Sequence, residues 1–222
     1  MKRQISLSDR LLHPCYSEEI TEYNIVNEDE EDVYLSRSEL IDSLNIELYQ
    51  AESKADSFIS LTVTEACLNV RFRKSLYRSR LPTVQPRFQS CRDFHAITQF
   101  RLPLFEKLTI RNHTFDEVNG LIVNNTALAA LFIENEIEQE DNEMFRQSLK
   151  HLRFKLYDIL CLLHYNNTLT VQDVLFYKNI RNLYLNGIFV NSHKYERSLF
   201  VVSAVKSFLS DIKSKLSKLS IM

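Results

Sequence analysis

The chain has 222 residues, 45% of them apolar and 25% charged, with a formal net charge of -2 at pH 7. It holds two glycines, four prolines and no tryptophan, where average usage gives about fifteen glycines at this length. Phosphate loops, dinucleotide-binding turns and tight hairpins need residues that tolerate positive φ. With Gly120 and Gly187 alone, no GxGxxG or GxxxxGKS/T motif exists, which excludes the common Rossmann and P-loop readings.

The small net charge conceals two blocks. Ser17 to Ser57 carries thirteen acids against Arg37 and Lys54, and Arg71 to Arg101 carries eight arginines and lysines against Asp93. Residues 1–35 read as an extended acidic tail. Glu18 to Asp32 is dominated by acids and has few core-forming residues, so self-repulsion and poor burial keep it open until something binds it. The opening MKRQISLSDRLLHPC lacks a continuous apolar stretch of signal-peptide length. No run approaches the roughly 18 apolar residues of a membrane span. An intracellular protein, nuclear or cytoplasmic, is the expectation.

A single helical domain is expected over 36–222. Ser36 and Glu39 have capping-box spacing, and Leu40, Ile41, Leu44, Leu48, Ala51 and Ala55 follow at helical intervals. Continuation through Phe58, Ile59, Ala66 and Cys67 is opposed by the β-branched cluster Thr62, Val63 and Thr64, where the pattern allows a break. Pro82 and Pro86 mark a linker at 81–87. A shorter helix over 92–100 and a brief one from Pro103 to Leu108 come next.

Four capped segments then carry the core. Thr114 with Glu117 opens the first, whose apolar side is Leu121, Ile122, Leu128, Leu131, Phe132 and Ile137. The small residues Ala127, Ala129 and Ala130 allow close approach of another helix. Asp141 or Asn142 opens the second, with Phe145, Leu149, Leu152, Leu156, Ile159, Leu160 and Leu163 as its stripe. Thr170 opens the third, with Val174, Leu175, Ile180, Leu183 and Tyr184 inward and Gly187 just past its end. Ser192 opens the last, running through Leu199, Val202, Val205, Phe208, Leu209, Ile212, Leu216 and Leu219. Short connections imply antiparallel neighbours. The fold class is therefore all-α: an antiparallel helical bundle of about five to seven helices, preceded by the acidic tail.

Candidate chemistry is sparse. Cys91–His95 at i, i+4 and Cys161–His164 at i, i+3 each supply one sulfur and one nitrogen, half of a tetrahedral zinc site. His13 and Cys15 form a looser third pair. The pairs lie far apart in sequence and no CxxC anchors them, so neither metal nor cofactor is expected. Cys15, Cys67, Cys91 and Cys161 lack framework spacing, and reduced thiols are the default. No GxSxG elbow occurs, and the acids Glu134, Glu136, Glu138, Glu140 and Asp141 read as a solvated helix end, so no catalytic residue is assigned.

The best functional lead is the basic segment Arg71, Arg73, Lys74, Arg78, Arg80, Arg87 and Arg92, interleaved with Phe72, Tyr77, Phe88 and Phe94. Arginine and aromatic groups together suit nucleic acid, but the overall acidic balance favours an acidic protein partner or the chain's own tail. RFRK and RSR also suit nuclear import. The expected function is a non-catalytic intracellular adaptor or complex subunit that binds other proteins, or its own copies, on helix grooves and charged segments. The alternatives are a nucleic-acid- or chromatin-associated protein using 71–101 and a secreted helical-bundle signalling protein.

Overall fold

Six helices and no strand occur among the described residues of the computed structural model, which are 7–15, 36–76, 115–164, 168–187 and 194–219. They are α1 (Leu7–Leu12), α2 (Arg37–Leu76), α3 (Phe115–Gln139), α4 (Glu143–His164), α5 (Val171–Gly187) and α6 (Lys194–Leu219). Three of the N-termini form through the side chains that the sequence singles out. At α2, Ser36 N–H donates to the Glu39 carboxylate at 2.8 Å and Glu39 N–H to Ser36 Oγ at 3.4 Å, a reciprocal capping box. At α5, Thr170 N–H donates to Asp173 at 2.8 Å and Asp173 N–H returns to Thr170 Oγ1 at 3.2 Å. Asn142, rather than Asp141, caps α4, its Oδ1 accepting from Met144 N–H at 2.9 Å.

α2 runs unbroken for 40 residues, through the β-branched cluster. Thr62 and Thr64 hydroxyls donate back to the carbonyls of Phe58 and Ser60, each at 2.8 Å, which is the helical alternative open to threonine. Val63 is buried beside them. Gly187 lies within α5 as its last residue rather than beyond its end. The Thr114 cap, the Ser192 start, the linker at 81–87 and the helices expected at 92–100 and 103–108 fall outside the described residues.

Side-chain pairs between helices set their directions. α2 meets α4 through Glu47–Lys155 at 3.1 Å and through the Phe58 and Phe145 rings, whose centroids are 6.0 Å apart. As residue numbers rise on one helix they fall on the other, so the two are antiparallel. Glu52–Lys213 and Asp56–Lys206 make α2 and α6 antiparallel in the same way. The link 140–142 reverses the chain and lays α4 against α3, with Glu134 opposite Arg153. α3 also packs on α6. The result is a square in which α2 and α3 occupy one diagonal and α4 and α6 the other.

α5 adds a further wall: its larger contacts are with α3 and with α1. That placement explains α3, where burial is continuous from Asn125 to Ile133. A helix buried on every side belongs at the centre. Ala127, Ala129 and Ala130 are each fully buried, as close approach of neighbours requires. The whole α4 stripe from Phe145 to Leu163 is buried, as are Leu199, Val202, Val205, Phe208, Leu209, Ile212 and Leu216 of α6.

The N-terminal segment differs from expectation. Residues 7–15 are not part of an extended tail: α1 packs on α5, Leu11 is 1% exposed within the main core, and Cys15 is bonded to Cys161. Two leucines in this short helix suffice to dock it, because the apolar α5 side already offers a place for them. The acidic stretch Glu18 to Asp32 lies outside the described residues.

Candidate interaction surfaces

Of the five acidic-block carboxylates on α2, Glu47, Glu52 and Asp56 are paired with lysines of the bundle. Lys155 bridges Glu47 at 3.1 Å and Asp158 at 2.7 Å. Lys213 pairs with Glu52 and lies 5.6 Å from the centre of the Tyr49 ring, and Lys206 meets Asp56 at 2.5 Å. These acids therefore hold α2 to α4 and α6 rather than waiting for the basic segment. Lys155 has its pKa raised, chiefly by its bond to Asp158 and further by Glu47. Beside the lysines an open groove of about 740 Å³ follows α2. Its floor is the small hydroxyl series Ser53, Ser57, Ser60 and Thr64, and Tyr49 stands at one end.

α5 presents the most apolar open face. Val174 and Tyr177 are buried, but Leu175 is 54% and Leu183 73% exposed, a correction to the expectation that both leucines point inward. Val171 and Phe176 are also largely exposed. At about 100° per residue, Val171, Leu175, Leu183 and Phe176 fall within one arc of about 140°. The sequence pattern misleads here because α5 is apolar on both sides, and the inward side is fixed by Val174 and Tyr177.

The acidic end of α3 is also corrected. Glu136 is 1% and Glu140 2% exposed, so these acids are not a solvated helix end. Glu136 receives Arg197 Nε at 2.8 Å and the Ser198 hydroxyl at 2.5 Å, both from α6. Glu134 accepts two bonds from Arg153 Nη1, at 2.8 and 3.1 Å. The Glu140 carbonyl accepts Arg146 Nε at 2.8 Å and a second bond from Nη2, which satisfies a free carbonyl at the end of α3. Glu136 lies one turn from Phe132 and Ile133 and so faces inward. Its partner Arg197 is 61 residues away, beyond what spacing reveals.

At the opposite end of α4 two of the predicted half-sites meet. Cys15 is disulfide-bonded to Cys161 across 146 residues, with Cα atoms 4.8 Å apart, which corrects the expectation of reduced thiols for this pair. His164 lies one helical turn beyond Cys161, and His13 two residues before Cys15. Burial, and secondarily the charge of His13, hold the His164 pKa below its usual value. Sequence spacing could not join pairs so far apart. Cys91 and His95 lie outside the described residues.

The basic segment is placed only at its start. Arg71, Arg73 and Lys74 fall in the last turns of α2, where described side chains stop at Glu65, and Arg78, Arg80, Arg87 and Arg92 lie outside the described residues. By the register of the α2–α6 ion pairs, Lys194 stands opposite about residue 70 of α2. The turn bearing the first basic residues thus starts level with the first turn of α6. No helix among the described residues is long and apolar enough to cross a membrane. Comparison with family models, curated proteins and solved structures returns no match.

Proposed function

We propose that this chain is a non-catalytic adaptor or structural subunit of a protein complex, working in the nucleus or cytoplasm and binding other proteins through helix faces and charged segments. The observation that carries the reading is the α5 face. Val171, Leu175, Phe176 and Leu183 are each more than half exposed on one side of a single helix, and clustered exposed apolar residues mark interaction surfaces far more often than scattered ones do. The groove along α2 and the basic segment from Arg71 to Arg92 offer further contacts of a different character, apolar-polar and cationic.

The test is affinity capture of the full chain from its native source, beside a Leu175→Glu/Phe176→Glu variant. A stoichiometric protein partner that the variant loses, while its melting temperature stays at the wild-type value, supports the reading. Equal capture by both chains, or a turnover activity in a partner-free monomer, overturns it.

A second reading is favoured by one observation. The Cys15–Cys161 disulfide is of the kind that persists in oxidising compartments, which suits a secreted helical-bundle signalling protein. Alkylation of native protein under denaturing conditions discriminates. Blocked Cys15 and Cys161 support secretion, and freely alkylated thiols support the intracellular adaptor.

A further inference from the structure

We propose that, in its reduced form, this chain binds one zinc ion in a tetrahedral site made by His13, Cys15, Cys161 and His164, and that the Cys15–Cys161 disulfide is the oxidised, metal-free state of the same site. The inference is independent of the adaptor reading. It starts from a convergence: HxC in the turn after α1 and CxxH in the last turn of α4 are brought together by the fold, with the two sulfurs in bonding contact. A covalent staple needs only the two cysteines. The flanking histidines complete the two-sulfur, two-nitrogen donor set that structural zinc takes.

The geometry permits it. Cys161 and His164 are three apart on a helix, so their side chains lie on one face about 5–6 Å apart at Cβ. His13 lies two residues before Cys15, so the bond to Cys161 brings its stretch of backbone to the same end of α4. Zinc–sulfur bonds of about 2.3 Å at a tetrahedral angle put two thiolates about 3.8 Å apart. Cα atoms separated by 4.8 Å are within reach of such a pair by side-chain rotation. His164 closes α4, and free carbonyls at a helix C-terminus favour a nearby cation. Thiolate and imidazole donors select zinc over magnesium or calcium, and four protein ligands leave no open position, so the ion has a structural role.

The redox step is thiol–disulfide exchange with a dithiol reductant. Two electrons and two protons pass from the reductant to Cys15 and Cys161, the protein S–S bond breaks, and the reductant becomes a disulfide. Zinc then displaces the two thiol protons to solvent and binds both thiolates and both neutral imidazoles. In the oxidised form the sulfurs are committed to each other, and no group of three or more His, Cys, Asp or Glu side chains among the described residues is placed to hold a metal. The zinc state would pin α1 to the end of α4 under reducing conditions, as the disulfide does under oxidising ones.

The test is an anaerobic titration of the full reduced chain with Co²⁺, followed by Zn²⁺. The expected result is one Co²⁺ per chain, with the strong visible bands of tetrahedral cobalt and a thiolate charge-transfer band, all displaced by Zn²⁺. The oxidised chain gives neither signal. His13 is exposed, so His13→Ala spares the core; it should weaken Co²⁺ binding by about 100-fold or more and leave the melting temperature of the oxidised chain unchanged. Cys161→Ser should abolish the charge-transfer band, whereas a Cys67→Ser/Cys91→Ser double variant should keep it. A reduced chain without the tetrahedral spectrum sinks the proposal. So does binding that survives His13→Ala and Cys161→Ser but disappears in the Cys67→Ser/Cys91→Ser variant.

Discussion

Single residues in this bundle matter most where polarity is buried. Glu136 is enclosed between Arg197 and Ser198, and removing one partner of a buried ion pair leaves the other without compensation. Glu136→Ala should therefore lower unfolding stability by about 3 kcal/mol, read from urea denaturation. A loss no larger than that of an exposed control such as Glu138→Ala would contradict the burial. The opposite sign is expected at Ser203, a fully buried residue of α6 whose hydroxyl has no hydrogen-bond partner. Ser203→Ala removes that unpaired group at almost constant shape and should stabilise the chain by about 1 kcal/mol. The cap residues act through pH. Thr170, by side-chain and backbone hydrogen bonds, lowers the Asp173 pKa, and Ser36 does the same for Glu39. The unfolded carboxylates then take up protons first as pH falls. The stabilisation is complete above the ordinary carboxylate range and disappears as pH falls through the lowered folded values. Thr170→Ala should cost about 1 kcal/mol near neutral pH, and urea midpoints of wild type and variant should converge in acid. A constant gap at all pH values would show that the carboxylate takes no part.

At the scale of elements, legibility followed how one-sided each helix is. α4 has a single apolar stripe with charges elsewhere, so its inward residues from Phe145 to Leu163 were readable without a partner. α5 has apolar residues around most of its circumference, and periodicity could not choose between Val174 and Leu175. The neighbours chose, because α1 and α3 cover one side only. α3 posed the reverse problem: its acids resemble an exposed end, but a helix at the centre of a bundle carries even Glu136 inward, where α6 supplies the counter-charge. The same reasoning predicts contrasting variants on adjacent residues of α5. Val174→Ala should cost about 1–2 kcal/mol through lost packing. Leu175→Ala should stay within about 0.5 kcal/mol of wild type, as surface substitutions do. Denaturation midpoints check both, and a larger loss at Leu175 would mean that another part of the chain covers this face.

For the whole molecule, the all-helical class followed from scarce glycine and regular apolar spacing, whereas the joins between distant segments did not. Nothing in the sequence tells that Cys15 selects Cys161 over Cys67 or Cys91, since that choice depends on α1 docking beside the end of α4. The consequence for stability is large because the cross-link spans 146 residues. A loop of that length restricts the unfolded chain strongly, by about 5 kcal/mol in the chain-entropy model, with measured values for disulfides running lower. Cys15 is exposed, so Cys15→Ser removes the link without opening a cavity. With a chelator present, the variant should lose about 3–5 kcal/mol relative to the oxidised wild type. Its urea m-value should also rise, because an unlinked unfolded chain exposes more surface than a looped one. The two changes separate this cause from a lost packing contact, which lowers the midpoint and leaves m unchanged. If both midpoint and m-value match the wild type, the folded chain in solution does not carry the link, and α1 is held to the bundle by Leu11 and its apolar neighbours alone.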